Sequence, residues 1–236
     1  MNFKVFLIIA ALLLGTPLAI IYLSSVENFS SPIKAKQVEK IKSALMPIKA
    51  RQIDVEQILK TKRCKGCYLK DIDLSGLDLS GADFRNAELS GANLVNTKLK
   101  DAKMGGVRLH NANLTNADLD GADFIGSDLK GANLSNANLL NTSLVDANLS
   151  TATANHSEFR DADLSGAKLE NANLSGAFLV GAHLREANLT GTDLSNANLR
   201  YANLHKAILA DTNLSGADLR LAIMPDGTSP YGQTEY

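Results

Sequence analysis

The only two cysteines of the 236-residue chain, Cys64 and Cys67, are separated by two residues, a spacing with distinct chemical uses. A Cys-x-x-Cys pair suits a redox dithiol, part of a zinc site or a short disulfide. A redox dithiol needs a helix N-terminus in a βαβ setting, and zinc needs two further ligands nearby. This junction offers neither. A disulfide between Cys64 and Cys67 is therefore favoured if the chain is exported, ahead of two unpaired structural thiols.

The histidines and carboxylates do not indicate a reaction centre. Only two of the four histidines fall on a common side of the repeat described below, and two imidazoles without a carboxylate partner make a poor metal site. The 25 Asp and Glu residues have no cleft that would desolvate them and raise a pKa. We expect no catalytic residue, no metal, no cofactor and no enzymatic activity. The histidines are His110, His156, His183 and His205.

The body of the chain repeats every five residues. From Leu69 to Met224 every fifth residue is a core position, 32 in all, without insertion or deletion. Leu occupies 26 of these positions, and the residue two before them is Ala in 22 repeats. The residue two after them is mostly Gly, Asn or Asp, the types that tolerate tight turns. Each repeat therefore carries its own corner.

A period of five fits neither a helix nor a flat strand. A helix would spread the leucines around its circumference, and a strand would send them alternately to opposite faces. A chain that turns a corner every five residues keeps every Leu and Ala inside. Residues 69–224 are therefore predicted to form a solenoid with four sides and 20 residues per coil, about 38 Å tall if coils are spaced by about 4.8 Å.

The repeats resemble those of the pentapeptide-repeat family, of an exported or membrane-anchored bacterial or cyanobacterial type. Three that illustrate the resemblance are ADFRN at 82–86, ANLVN at 92–96 and ANLSN at 132–136. The resemblance implies an all-β solenoid, a right-handed quadrilateral parallel β-helix of about eight coils with no catalytic site.

One coil departs from the repeat. Ala154 replaces a core Leu, which should leave a gap between Leu134 and Leu174 worth on the order of 2 to 5 kcal/mol if nothing fills it. A slack coil and a ligand-accepting notch are the two interpretations of this irregularity.

Residues 1–25 are predicted to be a transmembrane anchor or a signal peptide. The uncharged segment 5–23 has 19 residues and would span about 28 Å as a helix. That length favours an uncleaved anchor, while Lys4 and the apolar stretch after it also fit a cleaved signal. We expect the β-helix to be membrane-anchored in the periplasm or thylakoid lumen, or secreted to the same compartment after cleavage.

Both ends of the β-helix need covers, because exposed coil edges invite pairing with another chain. Residues 26–53 are predicted to be a basic, partly helical linker. The segment 54–68 should hold the cysteine pair and a capping helix over 55–62, with Asp54 as its N-cap. Residues 225–236 are expected to form a turn and a loose tail.

The four sides differ in what they expose. The side that begins at Leu74 carries Asn, Ser and Thr, which are expected to bond along the axis as ladders. The two sides that begin at Leu79 and Phe84 carry apolar residues near arginines, and this is the candidate partner surface. Its residues are Ile125, Leu140, Val145, Phe178, Val180, Arg160, Arg185 and Arg200, with Arg220 beyond them.

The balance of acidic and basic residues limits the kinds of partner that the chain is expected to bind. With 24 Lys and Arg against 25 Asp and Glu, the net charge of −1 argues against a nucleic-acid partner. The leading hypothesis is a non-enzymatic scaffold, attached to the membrane through residues 5–23 or exported, that docks an unknown protein along one side. The alternative is a DNA-mimicking protein that binds a topoisomerase and protects gyrase. Lys98, Lys103 and Lys130 interrupt the acidic surface that mimicry needs. A homodimer through a rod end or side is a further expectation.

Overall fold

The computed structural model describes residues 55–230, in which the chain completes one four-sided coil every 20 residues. We number the sides by their first core residue. Side 1 begins at Leu69, side 2 at Leu74, side 3 at Leu79 and side 4 at Cys64. Parallel bridges join residues 20 apart, from Arg63↔Asp83 to Asn203↔Ile223. The predicted four-sided parallel β-helix is confirmed, although each side holds a single bridge and not a continuous strand, because corners leave few extended residues between them.

Each bridge consists of two backbone hydrogen bonds between successive coils. On side 2 the Leu74 N–H donates to the Asn93 carbonyl, and the Asn93 N–H donates to the Ile72 carbonyl, both at 2.8 Å. The residue between this donor and this acceptor, here Asp73, is called the bridge residue below. The corner N–H also donates to the next coil, as from Gly76 to the Val95 carbonyl at 2.9 Å, so an inner coil offers two N–H groups and one C=O per side to the coil that follows.

The corners depend on left-handed backbone. The residue two after each core position has a positive φ in 32 consecutive repeats, from Gly66 to Leu221. This conformation favours glycine and is tolerated by Asn and Asp. Many corner Asn and Asp side chains also lie over a glycine in the next coil. A Cβ on Gly121 would come within 2.5 Å of the Asp101 Oδ1 atom, so that corner has no room for a larger residue.

The core follows the predicted pattern. The inner leucines and alanines are fully buried, and where Thr replaces Ala its hydroxyl donates to a carbonyl of the preceding coil, as from Thr142 to Leu119 at 3.0 Å. Ala154 is only 1% exposed, so no open notch exists there. The next core position of the same coil holds the larger Phe159, fully buried, and the Ser157 hydroxyl donates to the Leu134 carbonyl at 2.7 Å.

A short helix covers the first coil. Helix α1 spans Val55–Thr61 and buries Ile58, with Val55 and Leu59 packed against the core. Lys62, at φ 54°, ends the helix, and the first bridge begins at Arg63. The predicted anchor at 1–25, the linker at 26–53, the N-cap Asp54 and the last tail residues 231–236 lie outside the described residues.

The last coil has no comparable cover among residues 55–230. The Met224 N–H donates to the Thr228 carbonyl at 2.7 Å, so the chain folds back there and begins no further coil. Leu209, Leu214 and Leu219 are partly exposed, whereas the equivalent inner leucines are buried. Within this described part, no helix is long and apolar enough to cross a membrane.

The corner between sides 3 and 4 gives a matched test of the glycine stacking. Gly81 and Gly121 both have φ +67°, but a Cβ on Gly81 meets nothing within 4 Å. We expect Gly81→Ala to lower the free energy of unfolding by about 1–2 kcal/mol from left-handed strain alone. Gly121→Ala should cost more, because Asp101 must move. Denaturant unfolding measures both losses.

A second-site change isolates the contact. In an Asp101→Gly background, Gly121→Ala should cost no more than Gly81→Ala does in the wild type. An equal cost of Gly121→Ala in both backgrounds would show that Asp101 does not restrict this corner.

Candidate docking surface

Three residues of each repeat face outward: the bridge residue, the residue after the core position and the corner residue. Where the bridge residue is Asp, Asn or Glu, its oxygen commonly accepts the backbone N–H of the residue after the core position. Asp73 accepts from Ser75 at 3.0 Å, and Asn173 accepts from Ser175 at 3.0 Å. Most bridge-position oxygens therefore stabilise their own repeat, as in an Asx turn.

The predicted ladder on side 2 is correspondingly mostly local. The Ser175 hydroxyl donates to Asn173 Oδ1 within the repeat at 2.7 Å, and Thr115 donates to Asn113 in the same way at 2.6 Å. Bonds along the axis occur only at some positions, such as Asn93 Nδ2 to Asp73 Oδ1 at 3.0 Å. The amide oxygen of Asn accepts most of these hydrogen bonds, and the carboxylate of an Asp in its place would still accept them.

Several arginines are neutralised within their own repeat. Arg85 donates to Asp83 at 2.8 and 2.6 Å, and the side-chain hydrogen bond from Arg85 lowers the pKa of Asp83 to about 2. Arg220 lowers the pKa of Asp218 to about 2 in the same manner. Arg160 pairs with the Glu158 carboxylate at 2.8 Å. The lowered pKa of Asp83 and of Asp218 means that these two carboxyl groups are stabilised in their charged form, which is the opposite of what a general acid needs.

Arg200 differs from these arginines. No described carboxylate lies within ion-pair distance of its guanidinium, although its charge helps to lower the pKa of Asp218. The guanidinium carbon lies 5.6 Å from the centre of the Tyr201 ring. Its Nε is buried without a hydrogen-bond partner among residues 55–230. In the described part of the chain, the acidic partner of Arg185 is the more distant Glu186, at 3.6 Å.

The predicted surface residues form two groups and not one cluster. On side 3, Phe178 is a bridge residue, and four others form a column after the core positions: Leu140, Arg160, Val180 and Arg200. Ile125, Val145 and Arg185 form the equivalent column of side 4, at its far edge. Phe178 and Ile125 are 46% and 50% exposed, whereas Leu140, Val145 and Val180 are partly buried.

Sequence analysis missed other exposed apolar residues, mostly near the C-terminal end. Tyr201 and Leu221 occupy the corner between sides 3 and 4 in two successive coils. Each has φ 60°, a strained conformation for large side chains. The signal was available, because both replace the Gly, Asn or Asp expected there. Within residues 55–230 these additional exposed residues are Tyr68, Tyr201, Ile208, Leu221 and Ile223.

The remaining candidate residues have structural surroundings. Cys64 takes a buried core position, and a disulfide joins it to Cys67 with their Cα atoms 5.2 Å apart. His110 Nε2 lies 2.5 Å from Asp128 Oδ2, and His183 and His205 share side 4. Within residues 55–230 no three His, Cys, Asp or Glu side chains are grouped to hold a metal ion.

Comparison with known proteins identifies similar repeats. The family model described as pentapeptide repeats matches in eight copies that together cover residues 63–224. HetL, a pentapeptide repeat protein involved in heterocyst differentiation regulation from the cyanobacterium Nostoc sp. strain PCC 7120, is 30% identical, covering 75% of this chain and 98% of its own, with a TM-score of 0.28. No curated protein matches the chain.

Two further solved structures are similar to the chain. A pentapeptide repeat protein from the Arabidopsis thaliana thylakoid lumen is 27% identical, covering 58% of this chain and 71% of its own, with a TM-score of 0.25. QnrB1, a plasmid-mediated fluoroquinolone resistance protein, is 19% identical, covering 66% of this chain and 92% of its own, with a TM-score of 0.33.

The pairing of Asp83 with Arg85 predicts a pKa change. In Arg85→Gln the pKa of Asp83 should rise from about 2 towards its ordinary 3.8, but not reach it, because the residue-85 N–H still donates to Asp83. Because the pKa is lowered by folding, the stability it contributes is present above about pH 3.8 and is lost as pH falls through about 2. Carboxyl-carbon NMR titration measures the change. Arg160→Gln is the matched control and should leave Asp83 unchanged, whereas an unchanged pKa in Arg85→Gln would contradict the assignment.

Proposed function

Because the chain belongs to the pentapeptide-repeat family, we propose that it is a non-enzymatic scaffold that docks another protein along side 3 of its β-helix. The observation that carries the proposal is Phe178. It is the bridge residue between Glu158 and Asn198, yet it is a large, 46% exposed ring at a position where the repeat prefers a turn-stabilising oxygen. A ring in that place supports no hydrogen bond of its own repeat, so it is available to a partner.

The surroundings of Phe178 suit a protein partner. Val180 lies in the same repeat, and Arg200 lies above Val180 in the next coil, with Tyr201 beside it. Aromatic residues and arginine are the types that contribute most to binding energy at protein interfaces. The charges around them are mixed, since Glu158 and Asp218 are paired with arginines. A surface of paired charges is a poor imitation of the continuous negative potential of DNA.

We further propose that the β-helix works outside the cytoplasm, tethered through residues 5–23 or released after cleavage of that segment. The uncharged 19-residue segment supports membrane attachment or export. The chain has two cysteines, which can form one disulfide, and disulfides persist in oxidising compartments outside the cytoplasm.

Substitution of Phe178 tests the docking proposal. The intact chain is used as bait to capture its partner from membranes of the source cells, and the identified partner is then titrated against variants. We expect Phe178→Asn to weaken binding by at least tenfold without changing the unfolding midpoint, because Asn is a frequent bridge residue in this chain. The matched control is Tyr68→Asn on side 1, the same type of position at 58% exposure, which should bind normally.

Two more variants define the outcome. Leu174→Asp, at a 1% exposed core position, should unfold the rod, while Asn173→Asp on side 2 should preserve both fold and binding. Loss of binding in Tyr68→Asn or Asn173→Asp with normal binding in Phe178→Asn would move the interface to another side. Strong inhibition of gyrase supercoiling by the intact chain would replace the scaffold by the DNA-mimic alternative.

The location has its own test. Protease added to spheroplasts should digest the chain after Met224, because the tail would lie outside the cytoplasmic membrane. A cytoplasmic protein serves as the control for lysis. Protection of the tail while the chain stays in the membrane fraction would place the β-helix in the cytoplasm.

A further inference from the structure

Arg160, Arg200 and Arg220 lie on side 3 at the same position of their repeats, directly after the core residue. Arg160 Nε donates to Glu158 at 2.8 Å, and Arg220 Nε donates to Asp218 at 2.9 Å, the bridge residue two positions earlier in each case. A second hydrogen bond from Nη2 completes a fork on the same carboxylate. The repeat therefore shows which group this arginine position binds, a carboxylate held through two N–H groups.

Arg200 lacks this carboxylate, because the bridge residue of its repeat is Asn198. The Asn198 Oδ1 atom accepts the backbone N–H of Arg200 at 3.2 Å and carries no charge. The Arg200 side chain donates no hydrogen bond within residues 55–230, and its Nε is buried. Asp218, whose pKa the charge of Arg200 helps to lower, lies in the following coil and is held by the fork of Arg220. The neutralising group of Arg200 is therefore missing from its own repeat.

The corner after Arg200 carries a strained aromatic residue. Tyr201 has φ 60° at a position where most repeats have Gly, Asn or Asp, and a large side chain is strained there. Tyr201 is 54% exposed, and the centre of its ring lies 5.6 Å from the guanidinium carbon of Arg200. An Asn at this corner would lower the strain but would remove the ring. An aromatic face is thus kept against this arginine in spite of the strain, as is typical of binding sites.

Apolar groups lie on the side of Arg200 that faces the preceding coil. Val180 occupies the same position of the repeat one coil earlier, and Phe178, 46% exposed, is the bridge residue of that coil. Apolar neighbours that a partner covers exclude water, and an ion pair is stronger where water is excluded. A carboxylate brought to Arg200 by a docked protein would therefore be bound more strongly than one in open solvent.

We propose that the protein docked on side 3 presents one Asp or Glu side chain to Arg200, next to Phe178 and Tyr201. This inference rests on the docking function proposed above and specifies the chemistry of its partner. The carboxylate contacts the Nη groups of Arg200, because Nε is buried. It supplies from outside the charge that Glu158 supplies to Arg160 within the rod.

A change at Asn198 tests the proposal while leaving Arg200 in place. Asn198→Asp restores the carboxylate that the other repeats have, so Arg200 is paired before the partner arrives. We expect Asn198→Asp and Arg200→Gln each to weaken binding of the captured partner about tenfold. The matched control for the lost charge is Arg85→Gln, at the same position of a repeat on side 4, and the control for the added charge is Asn173→Asp on side 2. Both controls should bind normally.

Arginine modification gives a second measurement, which needs no partner. Phenylglyoxal attacks the uncharged guanidine, so an arginine reacts slowly when a carboxylate raises its pKa, as Glu158 does for Arg160. Mass spectrometry of the digested intact chain measures the rate at each arginine. We expect Arg200 to react more slowly in Asn198→Asp than in the wild type, and the bound partner to protect Arg200 in the wild type. Equal rates in the two free chains would show that Arg200 is already paired, which would overturn the proposal.

The binding outcomes separate this inference from the docking proposal. Weaker binding of Phe178→Asn with normal binding of Arg200→Gln and Asn198→Asp would leave docking on side 3 in place and reject the carboxylate. Normal binding of all three variants would reject docking on side 3 itself. Weaker binding of Arg200→Gln alone would mean that Arg200 contributes contact area and not charge.

A charge exchange identifies the carboxylate. Binding of Arg200→Glu should be restored by a partner in which one Asp or Glu is changed to Lys, and the position of that change locates the residue that meets Arg200. Loss of wild-type binding after phosphatase treatment of the partner would replace the carboxylate by a phosphate group and overturn the assignment.

Discussion

The left-handed corner is the constraint on which the rest of this β-helix depends. With 32 consecutive positive φ values, the chain has no freedom to slip its register by one residue, since a slip would replace the Gly, Asn or Asp at most corners by the residue that now follows the core position or by the inward Ala. Strain of about 1–2 kcal/mol per residue then applies to any ordinary side chain there. Glycine and asparagine avoid most of this strain, so the corners select their own composition. The inward direction of every Leu and Ala follows from the corners and not the reverse.

The corners also explain why so many outward-facing carboxylates are bonded within their own repeat. A side-chain oxygen of a bridge residue can accept the backbone N–H two residues later, as Asp83 accepts from Arg85. This hydrogen bond stabilises the turn at the end of that side. Such an oxygen is already bonded, and at Asp83 the added hydrogen bond from Arg85 holds the pKa at about 2. Function is therefore better sought where a repeat gives up this oxygen. Phe178, Ile208 and Ile223 are such places, and all three are exposed.

The sequence was sufficient for the period, the four sides and the buried Leu and Ala positions, because these follow from spacing alone. It was insufficient for the start of the coils, since Cys64 occupies a core position without being a large apolar residue. It grouped Leu140 with Val145 in one candidate surface, although the two residues are five apart and belong to the columns of sides 3 and 4. On side 2, sequence analysis missed the hydrogen bonds that Asn oxygens accept within their own repeat. Asn and Ser residues suit both these local turns and a ladder between residues 20 apart, so the sequence does not distinguish the two.

A β-helix removes lateral edges but keeps two ends, and the two ends of this rod are chemically different. At the first coil Ile58 of α1 supplies an apolar cover, and a helix presents no strand edge to another chain. At the last coil the turn after Met224 satisfies one side, and on the other three sides the core N–H groups have no backbone acceptor among residues 55–230. Lengthening the rod by more repeats would only move that edge, because every added coil presents the same donors and acceptors. The requirement for a cover at this end is therefore set by the repeat itself, and only a structure with a different edge, or a second coil facing it, can meet that requirement.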